Sequence, residues 1–150
     1  MYDSIRPYNI AERRRIQKAS ALYETHLENI LDLLSARGIS EETARYHHLG
    51  YIDNDPIPGH ENYNQCITIP YMYPVWGRPA EIRKMRFRCS LPHDCKTHNH
   101  PKYLTPAGDT GSIYNMAAMA NPAAEMHICE GEFDSMIPVS YTHLTLPTIY

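Results

Sequence analysis

Two runs of alternating residues constrain the centre of this chain more than any other feature. CITIPYM (66–72) and EIRKMRFRC (81–89) alternate with a period of two and are rich in β-branched and aromatic residues, and PVWGRP between them supplies proline and glycine for a turn. They read as an antiparallel hairpin. Along the second run, Ile82, Lys84, Arg86 and Arg88 point one way and Arg83, Met85 and Phe87 the other, so three cations share one face.

Helical spacing precedes the hairpin. From Asn9 to about Ala36, apolar residues recur three and four apart (Ile16, Ala19, Leu22, Tyr23, Leu27, Ile30, Leu31, Leu34), which predicts one amphipathic helix. Gly38 stops it, and Ser40 followed by Glu41 and Glu42 caps a short second helix through Tyr46 or His47. Arg13, Arg14, Arg15 and Lys18 fall early in the first helix and read as a solvated face. His47 and His48 read as helix-end residues. The stretch 53–64 holds two prolines, a glycine and three asparagines and reads as a loop. After the hairpin come a short strand at KYL (102–104), a helix from about Ser112 to Ala120 ended by Pro122, a buried strand over Met126–Cys129 and a helix beginning near Glu132. That last strand, loop and helix form an α/β unit, in a chain that reads as α+β overall.

Charge is unevenly spread. Between Arg78 and Lys102 lie seven basic residues and two acids, whereas the rest of the chain carries seven bases and fifteen acids, for a formal net charge of −3. Such asymmetry points to a local site for phosphates, with a solvated strand face as the plainer alternative. No run approaches 18 apolar residues and the amino terminus has no apolar stretch after its charges, which argues against a membrane span or signal peptide and for the cytoplasm. In that compartment Cys66, Cys89, Cys95 and Cys129 are thiols or metal ligands rather than disulfides.

Glu130, Glu132 and Asp134 place three carboxylates in five residues, with Glu130 at the carboxyl end of the expected strand, where open α/β sheets bind ligands. Like charges at that density repel and are relieved by a divalent cation or a proton. Alternatively, Glu132 and Asp134 simply favour the first turn of the following helix.

The stretch ICEGEFDSM resembles the glutamate motif of the TOPRIM domain of bacterial and phage DNA primases, with Glu130 and Asp134 at the matching positions. LLSARGISEETARYHHLGYI (33–52) resembles the helical segment of the primase core. CITIPYM, EIRKMRFR and PKYLTPAGDTGSIYNM are similar to the basic subdomain that precedes TOPRIM, including its lysine-tyrosine-leucine signature at Lys102, Tyr103 and Leu104. The resemblance covers about residues 22–137. It implies a helical segment over 1–50, a basic β-rich subdomain over 51–121 and the start of a TOPRIM domain over 122–137. It also implies RNA primer synthesis on single-stranded DNA from nucleoside triphosphates, with Mg2+ or Mn2+, in the bacterial host cytoplasm and in the company of a replicative helicase. Glu130 and Asp134 would then be catalytic and metal-binding, and Lys84, Arg86, Arg88 and Lys102 would contact template or triphosphate. A non-catalytic nucleic-acid-binding accessory protein and a TOPRIM-type nuclease are the alternatives.

Two further expectations stand apart from the core. Cys89, His93, Cys95, His98 and His100 fall within twelve residues, and Cys89, Cys95, His98 and His100 would suit tetrahedral zinc, although two histidines only two apart require a sharp bend. VSYTHLTLPTIY (139–150) resembles the in-frame translation of a transposase-type sequencing adapter, with Pro138 at the junction. The natural sequence would then run to Ile137, short of the aspartate-x-aspartate pair that the family carries further on, leaving a fragment without activity of its own.

Overall fold

The computed structural model describes residues 10–107, 109, 111–120 and 128–137. Its centre is the expected hairpin, longer than the alternation alone suggests: β2 (Cys66–Val75) and β3 (Arg78–Cys89) pair antiparallel around Trp76 and Gly77, with Gly77 at φ 68°. Glycine takes that left-handed backbone conformation most readily. Two short strands flank the pair, β1 (Gly50–Tyr51) on β2 and β4 (Tyr103–Leu104) on β3, giving a four-stranded antiparallel sheet in sequential order. The α+β class is therefore as expected.

The single helix expected up to Ala36 is broken. Helix α1 (Ile10–Glu24) ends at Thr25, a 3-10 turn follows at Leu27–Ile30, and α2 spans Leu31–Ser35. Apolar periodicity continues across the break because both segments bury their stripes, which is why the sequence reads as one helix. β1 runs close beside the break: a Cβ on Gly50 would sit 2.5 Å from the Tyr23 carbonyl carbon, so only glycine fits there. The Thr25 hydroxyl also donates to the Leu22 carbonyl (2.5 Å), competing with the next turn of helix.

Downstream of the break the capping signals hold. Gly38 (φ 80°) turns the chain out of α2, with Ile39 N–H bonding the Leu34 carbonyl, and Ser40 Oγ accepts from Thr43 N–H to start α3 (Glu41–Tyr46).

Strand β2 is buried on both faces because helices cover both. On one, Ala19 and Tyr23 of α1 pack with Ile52, Cys66, Met85 and Phe87. On the other, Leu27, Ile30, Leu34, Ile39, Ala44 and Leu49 pack over Ile67, Ile69 and Tyr71, joined by Phe133 and Met136 of α4 (Glu132–Met136). The cationic face of β3 is thus a covered face. Lys84 and Arg88 are buried, and the alternation slips by one residue at Arg83, where Tyr71 pairs with Lys84 but Met72 with Ile82.

Two expected elements differ. The helix over Ser112–Ala120 is a 3-10 turn at Met116–Ala120, preceded by Asn115 at φ 53°, which α-helix does not admit. The strand expected over Met126–Cys129 is absent at its described residues: Ile128 and Cys129 are irregular, and Ile128 is 79% exposed with no strand beside it among the described residues. Met126 and His127, Pro122 and the suspected adapter residues 139–150 lie outside the described residues. None of the described helices is long and apolar enough to cross a membrane.

Candidate functional site

Helix α4 carries the acidic motif onto the cationic face of β3. The three carboxylates part ways there. Glu132 turns inward: its Oε1 accepts from Arg86 Nη1 and from the Tyr71 hydroxyl, both at 2.6 Å, and its side chain is 6% exposed. Burial would raise its carboxyl, but the bonds from Tyr71 and Arg86 outweigh that and hold it below the ordinary carboxylate range. Glu132 and Arg86 thus neutralise one another, so the crowding of acids read from the sequence is relieved in part by a guanidinium. Glu130 and Asp134 are exposed, and Asp134 folds back beside Gly131. Among the described residues the three do not form a cluster of metal donors.

Each cation on the β3 face has a distinct environment. Lys84 is tied to Asp109 at 2.9 Å with both side chains nearly buried, and it lies 5.5 Å from the centre of the Tyr71 ring. Arg86 is two-thirds covered and stacks over Tyr103 at 4.7 Å. Arg88 donates to the Tyr103 hydroxyl (3.1 Å) and lies over the Phe133 ring at 4.5 Å. Its guanidinium is held below its ordinary pKa chiefly by burial. Lys102 is exposed, and its carbonyl accepts from Cys89 N–H at 3.0 Å.

A cleft of about 390 Å³ opens where these elements meet, lined by Arg37, Arg88, Tyr103, Gly131, Phe133, Asp134 and Ile137. It offers two guanidiniums, two aromatic rings and one carboxylate. Of the residues singled out in the sequence it gathers Arg88 and Asp134. Arg86 stands behind it, bound to Glu132, while Lys84, Lys102 and Glu130 are not among its lining residues. Arg37, Tyr103, Phe133 and the inward role of Glu132 are not individually assigned from the sequence. Arg37 stands in the stretch 33–52 that resembles the helical segment of the primase core and Tyr103 in the lysine-tyrosine-leucine signature, so both were visible as motif members without a function.

A second site lies at the far end of β3. Cys89, His93, Cys95 and His100 bring one donor atom each to within 4.8 Å of one another. Cys89 Sγ is 3.6 Å from His93 Nε2, which is 2.8 Å from His100 Nε2. The fourth member is His93 where the sequence reading placed His98. His98 is drawn off by its own backbone: its Nδ1 lies 3.1 Å from the Asp94 carbonyl, and its ring stacks on the outside of His93 at 4.3 Å. The sharp bend demanded by the spacing is made at Asn99 (φ 55°), after which His100 N–H bonds the Cys95 carbonyl. His100 Nδ1 faces the Pro101 carbonyl at 3.1 Å, a contact that favours the proton on Nδ1 and leaves Nε2 as a lone pair aimed at the cluster. Cys66, the cross-strand partner of Cys89, lies just outside the four; burial first, and then Cys89 and Cys95, push its thiol up to about 12.

The chain is 33% identical over 74 residues to the Gene 57 protein of Mycobacterium phage D29, a stretch that covers 49% of this chain and 45% of that protein. It therefore spans less than half the length of that relative. No protein-family model matches the chain, and no solved structure does.

Proposed function

We propose that this chain is part of the catalytic core of a TOPRIM-type DNA primase, which makes RNA primers on single-stranded DNA by metal-dependent nucleotidyl transfer during phage replication. The observation that carries the reading is the docking of the acidic motif on the cationic strand. Arg86 and Glu132 join α4 to β3, and Asp134 then shares one cleft with Arg37 and Arg88. Phosphoryl transfer asks a protein mainly to position groups and neutralise charge, and this cleft has the parts for both. Arg37 and Arg88 would hold phosphate oxygens, with Tyr103 and Phe133 offering ring faces to a base. Glu130 and Asp134 are exposed carboxylates that fit a magnesium or manganese ion held partly by substrate phosphates, and such an ion would offset charge on the transferring group. Lys102 lies outside the cleft, where it would meet the template backbone. The similarity to a phage protein agrees with a phage origin, and on this reading the protein would act in the host cytoplasm with a replicative helicase as companion. The Cys/His cluster is read as a zinc site.

Template binding can be measured on this chain directly. Fluorescence anisotropy with a labelled single-stranded oligonucleotide should show salt-dependent binding, and Lys102→Ala should weaken it and lower the slope of log affinity against log salt by about one contact's worth. Binding that ignores salt would refute the interface.

A second reading, a non-catalytic nucleic-acid-binding accessory, is favoured by one observation: Glu132 is already neutralised by Arg86 and does not join Glu130 and Asp134 around a common ion.

A further inference from the structure

The segment between β3 and β4 has little to hold it by ordinary means. Between Ser90 and Pro101 one side chain, Cys95, is buried, so no apolar core orders it. Strand β4 pairs through two residues only, Phe87 with Leu104 and Arg88 with Tyr103, and so short a ladder is marginal by itself. Yet β4 is placed with care. Tyr103 lies under Arg86 (4.7 Å) and Arg88 (5.2 Å), takes a hydrogen bond from Arg88 and forms one wall of the cleft. Tyr103 and Leu104 also touch the margins of the two cores, yet only Cys95 is buried in the segment that delivers them.

We propose that zinc held by Cys89, His93, Cys95 and His100 is the clamp that seats β4, and with it Tyr103, against the arginines of the cleft. The inference rests on the zinc reading above and not on the primase reading. The donors span the segment from end to end: Cys89 is the last residue of β3, and His100 stands three residues before Tyr103. An ion bound to both closes the segment into a ring and ties the exit of β3 to the entry of β4. At that point Cys89 N–H already bonds the Lys102 carbonyl.

The donor set suits the metal in type, and its atoms, all within 4.8 Å of one another, need shift by only about an ångström to surround an ion. Tetrahedral zinc with bonds of about 2.0–2.3 Å separates its ligand atoms by roughly 3.3–3.8 Å. The 3.6 Å between Cys89 Sγ and His93 Nε2 lies within that range, and the 2.8 Å between His93 Nε2 and His100 Nε2 is somewhat shorter. Binding balances in charge: two thiols release their protons, two neutral imidazoles give lone pairs, and two thiolates cancel the dication. No electron is transferred. The Pro101 carbonyl that orients His100 also belongs to the segment leading into β4, so the ligand shell sits directly ahead of the strand.

The test uses the whole chain and zinc alone, with no nucleotide or DNA, so the primase reading can fail without touching it. Elemental analysis of the purified protein should find about one zinc per chain. Replacement by cobalt(II) should give the visible absorption of a tetrahedral site with thiolate ligands. His93→Ala and Cys95→Ser should lose the metal and His98→Ala should keep it. Zinc-free protein, or loss in H98A with retention in H93A, overturns the zinc reading itself. Hydrogen exchange followed by mass spectrometry, before and after chelation, then tests the clamp: peptides covering 86–105 should exchange ~10-fold faster or more without zinc, while those covering 66–75 hold their protection. Equal protection of 86–105 with and without bound zinc overturns the clamp and leaves the zinc reading standing. Loss of protection in both regions would make zinc a requirement of the whole fold, and would overturn the clamp as a local device.

Discussion

Glu132→Gln is the substitution that most directly probes how the acidic motif is attached. The carboxylate accepts two charge-assisted bonds at 2.6 Å, from Arg86 and Tyr71, at a side chain only 6% exposed. Removing one member of a buried ion pair costs about 3–5 kcal/mol. Two features reduce that here: the Arg86 side chain is 35% exposed, so water recovers part of its solvation, and glutamine keeps an acceptor oxygen of the same shape. A loss of about 2–3 kcal/mol is expected. With a urea slope of roughly 2 kcal/mol/M, the unfolding midpoint should fall by about 1–1.5 M with the slope unchanged. The pH dependence carries the sign. The folded carboxyl is held below its unfolded value, so its contribution is complete above the unfolded pKa of about 4.3 and fades as pH falls toward the folded one. The gap between wild type and variant should therefore be full at pH 7 and narrow below pH ~4. A gap under about 0.5 kcal/mol at pH 7, or one that does not narrow in acid, would refute the buried pair as the attachment of α4.

Gly50→Ala should cost about 2–4 kcal/mol in the same urea assay, because the new methyl meets the backbone of Tyr23 and Glu24 at 2.5–2.7 Å, whereas Gly111→Ala, with nothing within 4 Å, should stay within about 0.5 kcal/mol. Equal effects would refute the close approach of β1 to the backbone at Tyr23 and Glu24. His47 and His60 are both held below the usual histidine pKa, mainly by burial, so the unfolded chain binds more protons near pH 6 and stability should fall as pH drops below about 6.5. Replacing both by glutamine should flatten stability between pH 7 and 5; an unchanged slope would place the titration elsewhere.

Where local chemistry decided the outcome, the sequence was a good guide. The hairpin turn, the Gly38 stop and the Ser40 cap each depend on residues within a few positions of one another; the KYL strand was legible too, although its partners Phe87 and Arg88 lie across the Cys/His segment. The failures are tertiary. The break after Glu24 lies against Gly50, 26 residues away, and β1 itself is two residues without any alternation. The face shared by Lys84, Arg86 and Arg88 was legible from period two, but its cover by α4 was not, because that depends on Phe133 and Met136 reaching the same core as Ile67 and Ile69. At the Cys/His cluster the spacing gave the ligand pool. The choice of His93 over His98 turned on one backbone carbonyl, at Asp94, that holds His98 aside.

The most direct test of the proposed function is ribonucleotide incorporation on a single-stranded DNA template by the full-length gene product, with Mg2+, compared with its Glu130→Gln variant. A primase makes short RNA products that the variant fails to make while binding the template as tightly. Absence of products from the unaltered protein, or equal synthesis by the variant, would contradict the primase reading and leave the nucleic-acid-binding accessory in its place.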